Sequence, residues 1–180
     1  MLDEPLPLAL DIRKAATRGT GVSGVLKPAQ LLRFRALLAG DEGRVEATLS
    51  CARDEQDRYI VCVVLEADVT VTCQRCLEAM PLHIASDNTL AVVWTDEQAA
   101  ALPRHLDPLI VEETACKLHE VVEDELILAM PQFSYHDSAH CKEKISAYAG
   151  PAPEQEADAG KSNPFDVLAQ LKAGDEHQES

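Results

Sequence analysis

Val69-Thr70-Val71-Thr72-Cys73-Gln74-Arg75-Cys76, followed by Leu82-His83-Ile84, decides how the middle of this chain folds. Apolar and polar side chains alternate on both sides of the cysteines, the period-two pattern of half-buried strands. Two such strands a few residues apart pair as an antiparallel hairpin, with Cys73 and Cys76 at its tip. A tight turn can aim both sulfurs at one point, which a tetrahedral zinc site asks of half its ligands. Candidates for the other half lie far downstream, in His136-Asp137-Ser138-Ala139-His140-Cys141. The spacing does not choose among His136, His140 and Cys141. It also admits a plainer role, since free cysteines of a cytosolic protein pack as small core hydrophobes. Redox chemistry needs Cys-x-x-Cys at the start of a helix in a βαβ setting, and the flanks here are strands.

Working outward, period two extends from Gly43 to Val93. Val45, Ala47 and Leu49 alternate with Arg44, Glu46 and Thr48, Tyr59 to Leu65 is nearly all apolar, and Leu90 to Trp94 reads as a further strand. Four or five antiparallel strands are expected, in a sheet that can curl toward a barrel. Helical signals flank it. Asp11 can cap a short helix that Gly19 ends, and Gly21 to Leu26 reads as extended. Pro28 can start a helix whose apolar face is Leu31, Leu32, Phe34, Leu37 and Leu38. Thr95-Asp96-Glu97 caps an Ala-rich helix that ends before Pro103. Glu112 to Met130 is the strongest helical pattern, with Leu118, Val121, Val122, Leu126 and Ala129 on one face and Glu113, Glu120, Glu123 and Asp124 on the other. The fold class is α+β.

The formal charge of −15 is unevenly spread. Residues 1–38 carry six Lys/Arg against three Asp/Glu, whereas residues 39–140 carry six against twenty. An acidic body disfavours broad nucleic-acid binding and attracts basic proteins. Any RNA contact is therefore expected on Arg13, Lys14, Arg18, Arg33 and Arg35, a set that also fits a solvated helix surface. Glu123-Asp124-Glu125 is a candidate acid cluster for a divalent ion or acid/base chemistry, but adjacent helical acids usually form a solvated face, and neither a nucleophile nor a phosphate-binding loop accompanies them. No apolar run reaches membrane-span length and no signal peptide is evident, so a cytoplasmic protein with unpaired cysteines is expected. Residues 1–148 are read as one domain: a basic helical part (1–40), a strand-rich part (43–94), a helical part (95–131) and a His/Cys loop (132–148). A disordered linker (149–162) and a short helix (163–173) follow. There Asn163 caps, and Phe165, Leu168 and Leu171 form an apolar stripe suited to docking on the domain or on a partner.

Leu8-Ala9-Leu10-Asp11, the Cys73-to-Leu77 knuckle, Val122-Glu123-Asp124-Glu125-Leu126-Ile127-Leu128-Ala129-Met130-Pro131, the His136-to-Cys141 segment and the tail Asn163-Pro164-Phe165-Asp166-Val167-Leu168-Ala169-Gln170-Leu171-Lys172 together resemble the YceD family of large ribosomal RNA subunit accumulation proteins. The resemblance spans nearly the whole chain. It implies a role in synthesis, processing or stability of 23S ribosomal RNA, and with no catalytic set in the sequence a non-enzymatic factor is expected. Implied partners are precursor 23S RNA, a basic large-subunit ribosomal protein, or both, with neither a membrane nor a small-molecule substrate. The family is not defined by a metal, but Cys73, Cys76, His136 and Cys141 lie in its two signature segments, so the resemblance implies that they lie close together in the fold, as candidate ligands for a structural zinc with His140 as the alternative. Three functions follow: an RNA-binding assembly factor, an acidic chaperone for a basic ribosomal protein without RNA contact, and an RNA hydrolase built on Glu123, Asp124 and Glu125.

Overall fold

The computed structural model describes residues 4–111, 115–137 and 141. A two-residue strand β1 (Ala9–Leu10) leads into helix α1 (Ile12–Arg18). Asp11 caps α1 by accepting from the Lys14 N–H, and Gly19 closes it at φ 59°, a left-handed conformation open to a residue without Cβ. Strand β2 (Gly21–Leu26) is followed by a 3-10 turn at Pro28–Gln30 and the one-turn helix α2 (Leu32–Arg35). Three long strands come next, β3 (Gly43–Arg53), β4 (Tyr59–Thr72) and β5 (Ala79–Val93). Helix α3 (Asp96–Ala100), strands β6 (Asp107–Ile110) and β7 (Cys116–Lys117), and helix α4 (Leu118–Ala129) complete the described elements.

The main sheet has the order β2-β3-β4-β5-β6, and β1 pairs with β7 in a separate ladder. Neighbours from β2 to β5 are antiparallel, while β6 runs parallel to β5. Alternation decides which face is inside. Val45, Ala47, Leu49 and Cys51 of β3 and Val61, Val63, Leu65, Ala67, Val69 and Val71 of β4 are all buried. Phe34, Ile12, Leu118, Val122 and Leu126 cover that face from the helices. Each fully buried side chain of this size contributes about 1.5–3 kcal/mol. The opposite face carries Thr48, Val64, Glu66, Asp68 and Asp87, all exposed.

The hairpin, the α+β class, β2, α1 and the cap of α3 agree with the sequence reading; other expectations need correction. The sheet does not close into a barrel, since β2 and β6 stand at its edges. The helix expected from Glu112 begins at Leu118, because Cys116 and Lys117 pair with Leu10 and Ala9 and the Leu118 N–H donates to the Leu8 carbonyl. The continuous helix expected after Pro28 is broken at Leu31 (φ −115°, ψ 85°). That break leaves Leu31 and Phe34 buried but turns Leu32 and Leu37 outward. The linker at 149–162, the tail helix at 163–173 with Phe165, Leu168 and Leu171, and His140 lie outside the described residues.

Candidate metal centre at the hairpin tip

Strands β4 and β5 are in register from Ile60↔Ala91 to Thr72↔Ala79, so residues 73–78 form the tip. The knuckle is built by backbone hydrogen bonds: the Leu77 N–H donates to the Cys73 carbonyl at 2.9 Å, and the Cys73 N–H to the Glu78 carbonyl at 2.8 Å. Closing the loop this tightly puts Leu77 at φ 60°, where a Cβ is unfavourable. A third bond, from the Gln74 N–H to the Ser134 carbonyl at 2.9 Å, fastens the segment after α4 alongside the knuckle. That segment delivers His136.

Cys73, Cys76, His136 and Cys141 converge, with all four potential ligand atoms within 4.8 Å of one another. Cys73 Sγ lies 3.6 Å from Cys141 Sγ, and Cys76 Sγ lies 3.3 Å from His136 Nδ1. Two thiolates each about 2.3 Å from a tetrahedral centre would sit roughly 3.8 Å apart, so the cavity between these atoms could hold a metal ion. The cysteines are not disulfide-bonded. Burial opposes ionisation of Cys73, but the N–H groups of Cys76, His136 and Arg75 outweigh it and bring the thiol down to about 5. Cys141 is pushed up, first by burial and then by the neighbouring Cys73 and Cys76. The core cysteines differ in kind. Burial, then Cys51 and Glu120, lift Cys116 to about 11, and burial raises Cys51 as well.

The five basic residues expected to meet RNA are largely engaged within the molecule. Lys14 pairs with Asp11 at 2.9 Å, Arg35 pairs with Asp41, and the Arg13 guanidinium lies 4.2 Å from the centre of the Trp94 ring. Arg33 donates to Glu123 at 2.9 Å and to Asp124 at 2.7 Å. Arg18 is exposed at the end of α1.

The acid cluster also departs from the expected solvated face. Glu123 and Glu125 are buried, and being two residues apart on a helix they point different ways. Glu123 accepts from the backbone N–H groups of Arg33 and Phe34 at 2.6 and 3.2 Å, so it caps α2, whose own N-cap residue Leu31 offers no acceptor. Glu125 accepts from the Asn88 amide at 3.2 Å. Burial pushes the Glu123 carboxyl up, but those two N–H groups and the Arg33 guanidinium prevail and hold it below its usual value.

The sequence reading missed a set of side chains beside the knuckle. Phe133 and Tyr135 stack with ring centroids 6.2 Å apart and planes 3° from parallel, and the Arg75 guanidinium lies 4.6 Å from the centre of the Tyr135 ring. Two aromatics at i and i+2 just before a candidate ligand were the available signal.

Residues 61–172 match the model of the family described as Large ribosomal RNA subunit accumulation protein YceD. The chain is also 34% identical over 169 residues to the Large ribosomal RNA subunit accumulation protein YceD of Haemophilus influenzae, covering 93% of this chain and 96% of that one. This chain belongs to the YceD family. No solved structure matches it. The YceD match takes in the knuckle, α4 and all four members of the Cys/His cluster, while α1 and β2 precede it. Among the described residues of this YceD protein, no helix is long and apolar enough to cross a membrane.

Proposed function

We propose that this protein is a non-enzymatic, cytoplasmic factor in large-subunit assembly that contacts precursor 23S ribosomal RNA and supports its processing or stability. The family match over residues 61–172 carries the reading, because the family and the Haemophilus influenzae relative are named for accumulation of that RNA. The candidate metal centre serves as structure. Zinc suits three thiolates and one imidazole, and four protein ligands close its coordination sphere against water or substrate. Its part is to fix residues 73–78 against residues 133–137. The hydrolase reading is not adopted, since Glu123 is committed to capping α2 and Glu125 to Asn88.

The test is crosslinking and immunoprecipitation of the tagged protein from growing cells, with RNA sequencing and protein mass spectrometry on one sample. Discrete segments of precursor 23S RNA are expected. One basic ribosomal protein with no RNA crosslinks would overturn direct contact in favour of the acidic chaperone. A specific feature favours that second reading: Glu46 and Glu66 stand directly opposite across β3 and β4, with Asp68 and Asp87 on the same outward face. Arg44 already engages Glu46 at 2.7 Å, so the pair itself demands no partner; the summed acidic charge of this face is what would attract a basic protein.

A further inference from the structure

We propose that Phe133, Tyr135, Arg75 and Leu77 form a stacking platform for unpaired bases of single-stranded RNA. This rests on the reading of direct RNA contact and names the surface that makes it. Phe133 is 65% exposed, Tyr135 41% and Leu77 77%, so large apolar groups project from one end of the molecule where burial would favour packing them inside. The two rings are nearly parallel with centroids 6.2 Å apart, too far for full face-to-face contact, so ring surface stays open to another planar group. Arg75 lies over Tyr135 at 4.6 Å and adds a cation that can stack on a base or meet a phosphate.

Leu77 points the same way independently. Its left-handed backbone suits glycine, yet the position holds a large apolar side chain and presents it to solvent. Packing gives no return for that strain, whereas contact with a base would. Unpaired RNA bases are recognised by stacking on aromatic faces and arginine planes, which every base accepts. A protein partner fits less well, because apolar side chains of a peptide seek a concave groove and these rings project. With Arg75 as the cation in the set, binding should show a shallow salt dependence, unlike the steep one of a five-residue basic patch.

The experiment uses the full-length, zinc-loaded protein and a fluorescein-labelled twelve-nucleotide oligouridylate, with an RNA duplex of equal length as the comparison. Fluorescence anisotropy should give preferential binding of the single strand. Phe133→Ala should weaken it about tenfold, and Arg75→Ala less, with zinc content and Tm equal to the parent. Phe133 is neither a ligand nor buried, so a purely structural role of the stack would appear as lost zinc or lowered Tm instead. If the parent binds the strand and Phe133→Ala binds it equally well, the platform is wrong while direct RNA contact stands. If the parent fails to bind the probe and also yields no RNA crosslinks in cells, the reading of direct contact falls too. Unchanged RNA binding by Phe133→Ala with loss of one co-purifying ribosomal protein would reassign the patch to protein docking and overturn the proposal.

Discussion

At the start of β4, Tyr59 and Trp94 meet edge to face at 5.6 Å, with Arg13 over Trp94 and Arg53 over Tyr59. At the other end of the same hairpin, roughly 45 Å away along fourteen residues of strand, Phe133 and Tyr135 stack beside Arg75. The residue types are nearly the same and the supports are not. Tyr59 and Trp94 pack against the main core, so the sheet and α1 hold them in place. Phe133 and Tyr135 are exposed, and what fixes their segment is the Gln74-to-Ser134 backbone bond and the meeting of His136 with three cysteines. An arginine–aromatic set backed by a core is part of the fold; one backed by a ligand cluster depends on whatever fills that cluster.

Metal removal should separate the two ends most sharply. Free zinc about a thousandfold above its Kd would stabilise the native state by about 4 kcal/mol, and that contribution should vanish on chelation. Native-state hydrogen exchange is the measurement. The Gln74 and Leu77 amides should lose protection, while those of Val45 to Leu49 and Val61 to Leu65 keep most of theirs. Equal protection at Gln74 with and without chelator would break the comparison, because the tip would then be holding itself together.

Glu123 sits in neither end and braces the helices over the core. Glu123→Ala leaves the N–H groups of Arg33 and Phe34 without their acceptor, at a cost of about 3 kcal/mol. It should lower global stability in denaturant melts without changing zinc content. The folded carboxyl titrates below the unfolded one, so its contribution is complete above the unfolded value of about 4.3 and disappears as pH falls through the folded value. Glu123→Gln should therefore flatten the acid limb of the stability curve. An acid limb unchanged in that variant would mean that other carboxylates account for it.

Trp94→Ala is the smaller counterpart at the core-backed end. Trp94 is half-buried, so the loss should be about 2 kcal/mol, below the range for fully buried tryptophan, and the metal should stay bound. Zinc loss in this variant would show the two ends coupled through the hairpin.

The hairpin was legible because both of its arms alternate, and α1 because Asp11 and Gly19 bracket seven residues. The convergence of Cys73 and Cys76 with His136 and Cys141 followed from the family resemblance added to that hairpin, since spacing across sixty residues fixes no geometry. Glu123 could not be read. Its helix pattern labels it polar, and only tertiary contact reveals that α2 lacks a local cap and takes one from ninety residues away. The same holds for β7: Cys116 and Lys117 follow a helical pattern, but the partner strand at Ala9 and Leu10 extends them. The engagement of the basic residues was hidden for a related reason, as charge counted along the chain does not see Asp41 facing Arg35 or Asp124 facing Arg33.

Leu77→Gly is the smallest expected effect and the most pointed. An L-residue in the left-handed region costs about 1–2 kcal/mol relative to glycine, while glycine gains freedom in the unfolded chain and returns part of that. The net should be a stabilisation of about 0.5–1 kcal/mol in the zinc-loaded protein, read as a higher denaturation midpoint at constant m. At the core-backed end Asp57 also has positive φ, at 62°. There the side chain receives a hydrogen bond from Arg53 at 2.6 Å, so Asp57→Gly should gain less. If Leu77→Gly is instead destabilising, the leucine is packing in a way its 77% exposure does not suggest, and the tip has a small core of its own. If it stabilises as expected while weakening the oligouridylate complex, the strain at this position is what holds an apolar group in reach of RNA.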